Sequence, residues 1–177
     1  LNKRQKLIYN DVRKFGFIKI HNLNLIKNSQ HLIHLGPEPL KKNWNFSYLK
    51  KYIIGRERTI KSILMDQKCV SGLGNIYVNE ILFLSGIKPA RKAVKLKDFE
   101  IEKIIKFSKK ILKNSIKLGG STIKDFSSEN GKKGVFQQHF KVYGRENQDC
   151  SNVDCNLKII RTVISNRATF LCKKCQK

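Results

Sequence analysis

Residues 65–89, MDQKCVSGLGNIYVNEILFLSGIKP, predict two helices joined through a turn that is marked by glycines. The second helix is expected to begin near Asn75 and to end at Gly86. Gly72 and Gly74 lie in the crossover, where glycine permits positive φ and a close approach of backbones. We take this helix pair as the centre around which the rest of the chain is organised.

The Gly74-Asn75 step indicates what this turn can bind. A helix that opens on a Gly-Asn step points its first backbone N–H groups outward, and such groups bind phosphate well. The Gly-x-Gly-Asn spacing is short, however, and it also fits an ordinary helix–turn–helix pair with a glycine C-cap. In a chain this basic, a phosphate bound there would belong to nucleic acid.

The net charge of the chain is extreme for its length. With 37 Lys and Arg against 13 Asp and Glu, the 177 residues carry a formal net charge of +24. Such an excess implies a polyanionic partner, either nucleic acid or an anionic membrane surface. No apolar run reaches the roughly 18–20 residues that cross a bilayer, so we expect no membrane partner. A hydrophobic fraction of 40% predicts a folded core and excludes a disordered tail.

Apolar periodicity predicts the other helices. One helix runs from Phe46 to about Ile54. The longest covers residues 96–118, where apolar residues recur every three or four positions and lysines occupy much of the remaining, solvated face. Short strands are predicted at 6–10 and 15–20, as the last strands of a sheet, because two strands alone are only marginally stable in water.

Four of the five cysteines cluster near the C-terminus. They form two pairs, Cys150-x4-Cys155 and Cys172-x2-Cys175. This spacing fits a four-thiolate zinc site on two knuckles, with short strands at 159–162 and 169–171 between them. So small a module buries little apolar area, and the metal would supply folding free energy. Two disulfides are the alternative, but nothing in the sequence indicates an oxidising compartment.

Several basic and aromatic residues are candidates for contacting nucleic acid. Arg167 lies in the hairpin between the knuckles, where it can reach a phosphate or a groove. Arg13 and Phe15 flank a turn from which an arginine and an aromatic wedge can enter a base stack. Arg56 precedes the helix pair and can hold phosphate. Each of these positions also fits a plain surface or core residue, and no catalytic set stands out.

Seven stretches of the chain, in order and at matching spacing, resemble the formamidopyrimidine-DNA glycosylase family. They are NDVRKFGF, HLGPEPL, IKSILMDQ, VSGLGNIYVNEILFLSGIKP, GGSTIKDF, FQQHFKVYGRE and NRATFLCKKCQK. The resemblance covers nearly the whole chain. It implies a bacterial base-excision repair enzyme, a bifunctional DNA glycosylase and AP lyase. Such an enzyme removes oxidised purines, such as 8-oxoguanine and formamidopyrimidines, from duplex DNA and then cuts the abasic strand.

The family fold implies three parts in an α+β chain. Residues 1–35 would be the end of an N-terminal β-sandwich, 36–135 a helix–two-turn–helix domain, and 136–177 a zinc finger built as a β-hairpin. Damaged duplex DNA is expected between the domains, with the damaged base flipped out. The same resemblance implies one structural Zn²⁺, a monomer, and a cytoplasmic, nucleoid-associated location.

The resemblance also implies roles for five DNA-binding residues. Arg13 resembles the arginine that fills the space left by the flipped base, and Phe15 resembles the wedge beside it. Arg56 matches a phosphate-binding position. Asn75 resembles the asparagine that contacts the DNA backbone, and Lys124 resembles part of the loop that caps the lesion.

The catalytic candidate is Arg167, which resembles the zinc-finger arginine that contacts phosphate near the lesion and takes part in δ-elimination. The clustered cysteines take the zinc positions. Two departures from the family pattern are Val12, where proline is usual, and the longer first knuckle.

In the family the nucleophile is an N-terminal proline amine, which attacks the sugar C1′. Leu1 offers no matched substitute, so we expect this chain to retain the DNA clamp and the zinc finger but to lack catalysis alone. The alternatives are a non-catalytic zinc-ribbon DNA-binding module and an endonuclease VIII-like glycosylase. A membrane-surface or ribosomal RNA binder is suggested by charge only, and the ordered motifs argue against it.

Overall fold

The computed structural model describes residues 8–11, 14–121 and 134–177. The chain divides into two compact units, Leu1–Ile33 and His34–Lys177. The elements are α1 (Phe46–Ile53), α2 (Ile60–Leu64), α3 (Asn75–Ser85), α4 (Asp98–Lys117), β1 (Ile160–Ile164) and β2 (Arg167–Leu171), with 3-10 helices at Leu23–Asn28, Ala93–Lys95 and Phe136–His139. Within the described ranges, no helix combines the length and the apolar character needed to cross a bilayer.

The described part of the first unit contains a 3-10 helix but no strand. The rings of Phe17 and His31 pack together, with their centroids 4.6 Å apart. The strands predicted at 6–10 and 15–20 are therefore not found in the part of those segments that the structure describes. A strand needs a partner strand hydrogen-bonded along its length, and the sheet that the structure describes consists of the two C-terminal strands, β1 and β2. The β-sandwich and the division into three domains stay predictions.

The main core of the second unit lies between Trp44 and the apolar face of α4. Trp44 is fully buried, and its indole N–H donates to the Ser108 hydroxyl oxygen at 2.8 Å. The helix buries Ile101, Ile104 and Ile111 on one face, as the three- and four-residue spacing predicts. The predicted long helix is confirmed, and most of its lysines are exposed.

The predicted helix pair also forms. Its second helix begins at Asn75, and Gly86 ends it in the left-handed region with φ 71°. Gly36, in the segment before α1, lies so close to the crossover that a Cβ there would be 2.4 Å from the carbonyl oxygen of Cys69. Only glycine fits at this point, so the segment is fixed against the helix pair.

The two strands form the predicted antiparallel hairpin. Ile164 pairs with Arg167, which leaves Ser165 and Asn166 as a two-residue turn. Both turn residues have positive φ, 51° and 56°, as a type I′ turn requires. A second, smaller core joins the hairpin to α3 and contains Phe83, Val142, Ile159 and Phe170.

Candidate nucleic-acid interface and metal centre

The hairpin docks on α2 and α3 through the outer edge of β2. The carbonyl oxygen of Ala168 accepts two side-chain hydrogen bonds, from the Asn75 amide at 3.0 Å and from the Lys61 ammonium at 2.9 Å. Lys61 also donates to the Thr169 hydroxyl oxygen at 2.6 Å. These bonds join the first turns of α2 and α3 to the hairpin at one point.

A further amide completes the docking. Asn79 lies one helical turn after Asn75, so both side chains face the hairpin. The Asn79 side-chain oxygen accepts the backbone N–H of Phe170 at 2.8 Å, and its amide nitrogen donates to the Asn75 carbonyl oxygen at 2.7 Å. At the hairpin turn, the hydroxyl oxygens of Ser62 and Ser165 are 2.7 Å apart. The hairpin is therefore held at its tip as well as along its edge.

A cavity of 420 Å³ lies at this junction, and three cations line it: Arg58, Lys61 and Arg167. One carboxylate, from Asp66, also lines the cavity and pairs with Arg58 at 2.8 Å. Three cations and one anion leave the cavity wall positive. Such a wall suits a phosphate group, which arginine and lysine bind through charge-assisted hydrogen bonds.

Lys61 is the most unusual of these charges because its side chain is 1% exposed. Burial, followed by repulsion from Arg167, lowers the pKa of Lys61 to about 8. An anion in the cavity would favour the charged form of this lysine. The site is therefore arranged to gain from a negatively charged ligand.

The N-terminus of α3 opens beside the same docking point. Its N-cap is Gly74, which provides no side-chain hydrogen bond, and Asn75 is its first residue. The first N–H groups of a helix have no partner within the helix, and the helix dipole makes this end attractive to anions. This geometry agrees with the phosphate-binding role predicted for the Gly74-Asn75 step.

The structure describes two of the other four predicted DNA-binding residues, Phe15 and Arg56. Arg13 and Lys124 lie outside the described residues. Phe15 belongs to the first unit and is 80% exposed. Arg56 is held at the end of α1, where its guanidinium carbon lies 4.2 Å from the centroid of the Tyr52 ring. Of the six predicted DNA-binding and catalytic residues, Asn75 bonds to the hairpin and Arg167 belongs to it, and the roles of all six stay predictions.

Sequence reasoning missed the structural importance of three residues. For Lys61, the position between Ile60 and Ile63 on a short apolar helix was an available signal of burial. The spacing of Asn79, four residues after Asn75, was an available signal for a shared face. Glu80 carried no such signal.

Glu80 joins α3 to the segment that leads into the first cysteine pair. Its buried carboxylate accepts three backbone N–H groups: Lys141 at 2.8 Å, Val142 at 3.0 Å and Tyr143 at 2.8 Å. A carboxylate that accepts several N–H groups is well compensated for its burial. Glu80 thus fixes the start of the cysteine module on α3.

The four clustered cysteines meet at one point, as predicted. The sulfur atoms of Cys150, Cys155, Cys172 and Cys175 all lie within 4.8 Å of one another. Cys150 and Cys175 are 3.7 Å apart, and Cys155 and Cys172 are 3.5 Å apart. A tetrahedral site with metal–sulfur bonds of about 2.3 Å places its sulfurs about 3.8 Å apart, so these residues fit a four-thiolate metal ion. All four are free thiols, which argues against the disulfide alternative.

The thiols differ in how readily they lose their protons. Burial raises the pKa of Cys150 to about 12. A hydrogen bond from the Leu157 backbone N–H lowers the pKa of Cys155 to about 7. A metal ion must displace these protons, so its affinity for the site rises with pH. When bound, the ion would cross-link the two knuckles and leave no open coordination position for catalysis.

The helix pair, and the hairpin that lies between the two cysteine pairs, define a helix–two-turn–helix protein. The junction between the helix pair and the hairpin is positively charged. Residues 35–127 match the model of the formamidopyrimidine-DNA glycosylase H2TH domain. The chain belongs to the formamidopyrimidine-DNA glycosylase family, as its sequence motifs predicted.

The similarity to known proteins extends over nearly the whole chain. The formamidopyrimidine-DNA glycosylase of Rickettsia felis is 42% identical over 176 residues, which cover 99% of this chain and 63% of that protein. Lactococcus lactis Fpg in complex with DNA containing an abasic site has a TM-score of 0.86 at 32% identity, over 94% of this chain and 60% of that one. MutM in complex with DNA containing carbocyclic 8-oxo-G has a TM-score of 0.83 at 32% identity, over 94% and 59%. The chain spans less than two thirds of the length of these relatives.

Proposed function

We propose that this chain supplies the DNA-binding and zinc-finger parts of a base-excision repair glycosylase. The whole protein would remove oxidised purines, including 8-oxoguanine and formamidopyrimidines, from duplex DNA and cut the abasic strand as an AP lyase. The chain would act as a monomer on damaged DNA in the bacterial cytoplasm, at the nucleoid. Its cysteines would hold one structural Zn²⁺.

One observation carries this proposal. Arg58, Lys61 and Arg167 line one cavity where the hairpin meets the helix pair, beside the open N-terminus of α3. The backbone of duplex DNA presents evenly spaced phosphates that suit such a site. The net charge of +24 favours the approach of this polyanion. The solved relatives with bound abasic and 8-oxo-G DNA support damaged duplex as the partner.

In this proposal Arg167 contacts the phosphate next to the lesion and assists elimination. Asn75 keeps the hairpin carbonyl of Ala168 in place while the backbone N–H groups of α3 meet a neighbouring phosphate. Arg13, Phe15, Arg56 and Lys124 keep the DNA-binding roles that the family pattern implies. The alternatives, a non-catalytic DNA-binding module and an endonuclease VIII-like glycosylase, differ in chemistry but share this interface.

The first test is binding to two duplexes that differ only in a central abasic-site analogue. The metal-loaded chain should prefer the abasic duplex at about physiological salt, where non-specific Kd values are on the order of 10⁻⁴–10⁻⁶ M. Arg167→Gln should weaken binding to the abasic duplex at least tenfold. Arg161→Gln changes an exposed arginine on the other strand of the same hairpin, so its binding should stay within about twofold of wild type.

Equal binding of the wild-type chain to both duplexes would refute damage recognition by these residues. Equal losses for the two arginine variants would show that charge alone, and not the position of Arg167, drives binding. Borohydride trapping of the whole protein on an 8-oxoguanine duplex tests the enzymatic part, because a glycosylase with lyase activity forms a reducible covalent adduct. Excision of oxidised pyrimidines in preference to purines would favour the endonuclease VIII-like alternative.

A further inference from the structure

The outward face of α4 carries a row of lysines that the proposed function does not use. These exposed residues, the α4 lysine row, are Lys103, Lys106, Lys110, Lys113 and Lys117. They recur at steps of three and four residues. At about 100° and 1.5 Å per residue, they fall within a sector about 80° wide and extend over about 21 Å.

Helix α3 separates the α4 lysine row from the hairpin. Asn75 and Asn79 of α3 face the hairpin, whereas Tyr77 lies about half a turn away on the helix. The Tyr77 hydroxyl oxygen is 2.7 Å from that of Ser115, on the buried face of α4. That buried face is in turn about 150–160° from the row. A ligand on the row would therefore not compete for Arg167.

Within the described ranges, no acid pairs with the row. The ion pairs of α4 involve Asp98 with Lys50 and Glu100 with Arg91, both in its first turn. The remaining acid, Glu102, lies at the edge of the lysine sector. Like charges three and four residues apart destabilise a helix, and a bound polyanion would remove that repulsion.

The positive surface continues beyond the helix. A cavity of 440 Å³ next to the row is lined by two of its lysines together with Lys141 and His139. Glu80 also lines this cavity, and its carboxylate already accepts three backbone N–H groups. The floor of the cavity includes Leu84 and Phe136. The row is thus the centre of a broader basic surface.

We infer that the α4 lysine row binds a second segment of duplex DNA while the candidate interface holds the first. This inference rests on the proposed function, which makes duplex DNA the partner of the chain. A duplex carries one phosphate charge per about 1.7 Å of axis, so about 12 charges lie along the length of the row. A straight, rigid polyanion matches a straight row on a rigid helix. Lysine contacts with phosphate carry no sequence information, so undamaged DNA of any sequence is suitable.

A bridging experiment tests this. The chain is mixed with a donor-labelled abasic-analogue duplex and an acceptor-labelled undamaged duplex, at about physiological salt. Energy transfer and a sedimenting complex of one chain with two duplexes are expected. The variant combining Lys103→Gln, Lys106→Gln, Lys110→Gln and Lys113→Gln should bind the second duplex at least tenfold more weakly. The slope of log K against log salt for that second duplex should fall by about 3.6, at about 0.9 per lost phosphate contact.

The matched control removes four charges from scattered exposed sites through Lys41→Gln, Lys42→Gln, Lys51→Gln and Lys95→Gln. This variant should still bridge, and both variants should bind the abasic duplex within about twofold of wild type. Circular dichroism checks that α4 stays helical, which is expected because glutamine is a good helix former.

Three outcomes overturn the inference: a wild-type complex with one duplex only, bridging retained by the row variant, or equal loss in the scattered variant. Binding of polyglutamate to the row without binding of duplex would also overturn it, since the occupant would then be an acidic protein. The proposed function fails separately, through loss of the abasic preference. A chain that bridges duplexes without that preference would keep this inference and refute the other.

Discussion

Lys61 is a positively charged residue that is almost completely buried. Its protonation state should therefore make the stability of the folded chain depend on pH. Its amine nitrogen donates to the Ala168 carbonyl and the Thr169 hydroxyl. A neutral amine can also donate to both, so losing the proton removes the buried charge without removing either hydrogen bond. Stability should therefore improve when this residue becomes neutral.

The sign follows from the two pKa values. The pKa of Lys61 is about 8 in the folded chain, against 10.5 for an ordinary lysine. Lys61 holds its proton more tightly in the unfolded chain than in the folded one. Burying the charged ammonium therefore lowers the free energy of unfolding in full below about pH 8, and this cost disappears as pH rises toward 10.5. That cost is about 3 kcal/mol at 1.36 kcal/mol per pKa unit. Relative to Lys61→Met, the wild-type free energy of unfolding in urea should rise by about 2–3 kcal/mol between pH 7 and 10.

The control for this measurement is Lys51→Met, at an exposed position of α1. Its free energy of unfolding should stay within about 0.5 kcal/mol of wild type across the same pH range, because substitutions at exposed positions change stability little. A Lys61→Met curve that runs parallel to that of wild type would show that the buried amine does not titrate in this window.

At the scale of elements, Glu80 links α3 to the segment before the cysteine module. Glu80→Gln replaces one acceptor oxygen by an amide NH₂, which cannot accept the backbone N–H of Lys141 or of Val142 and Tyr143. A buried N–H left without a partner costs about 1–3 kcal/mol, so the free energy of unfolding in urea should fall by that amount. Glu102→Gln makes the same change on the exposed side of α4 and should alter stability by less than about 0.5 kcal/mol. Equal stabilities for the two variants would contradict this role of Glu80.

The turn of the hairpin gives a second prediction at this scale. Asn166 has φ 56°, a region where a β-branched side chain is strained. Asn166→Val should lower the free energy of unfolding of the metal-loaded chain by about 1–2 kcal/mol. Asn166→Gly should not lower it, because glycine adopts positive φ without a Cβ penalty. A valine variant as stable as the glycine variant, in thermal unfolding, would refute the type I′ assignment.

The elements with local signals could be predicted from sequence. Apolar spacing identified α4, the Gly86 cap identified the end of α3, and the cysteine spacing identified the cluster of four thiols. The hydrogen-bond acceptors of the buried Lys61 ammonium could not be predicted, because they lie 107 and 108 residues further along the chain. Nor could the bonds of Glu80, whose partners are 61–63 residues away. The residue types at 6–20 favour strands, and this signal is also local. A strand forms only beside a partner strand, however, and the local sequence does not determine whether one is present.

At the scale of the second unit, two cores differ in how they are held together. The larger core surrounds Trp44 and consists of apolar side chains from all four helices. The smaller core under the hairpin contains few apolar side chains together with three of the four clustered cysteines. We expect a core of that size to need a metal ion on the clustered cysteines for stability, and the larger core not to need one.

Removing the metal should therefore unfold one core and leave the other. Trp44 is the only tryptophan of the chain, so its fluorescence reports on the larger core alone. After chelation, the hairpin should lose its structure, Lys61 and Asn75 should lose their acceptor on Ala168, and the preference for abasic duplex should disappear. The Trp44 emission should stay at its buried wavelength, and added Zn²⁺ should restore binding. A red shift of Trp44 in step with metal release would show a single cooperative unit, and an abasic preference that survives chelation would exclude the hairpin from the interface.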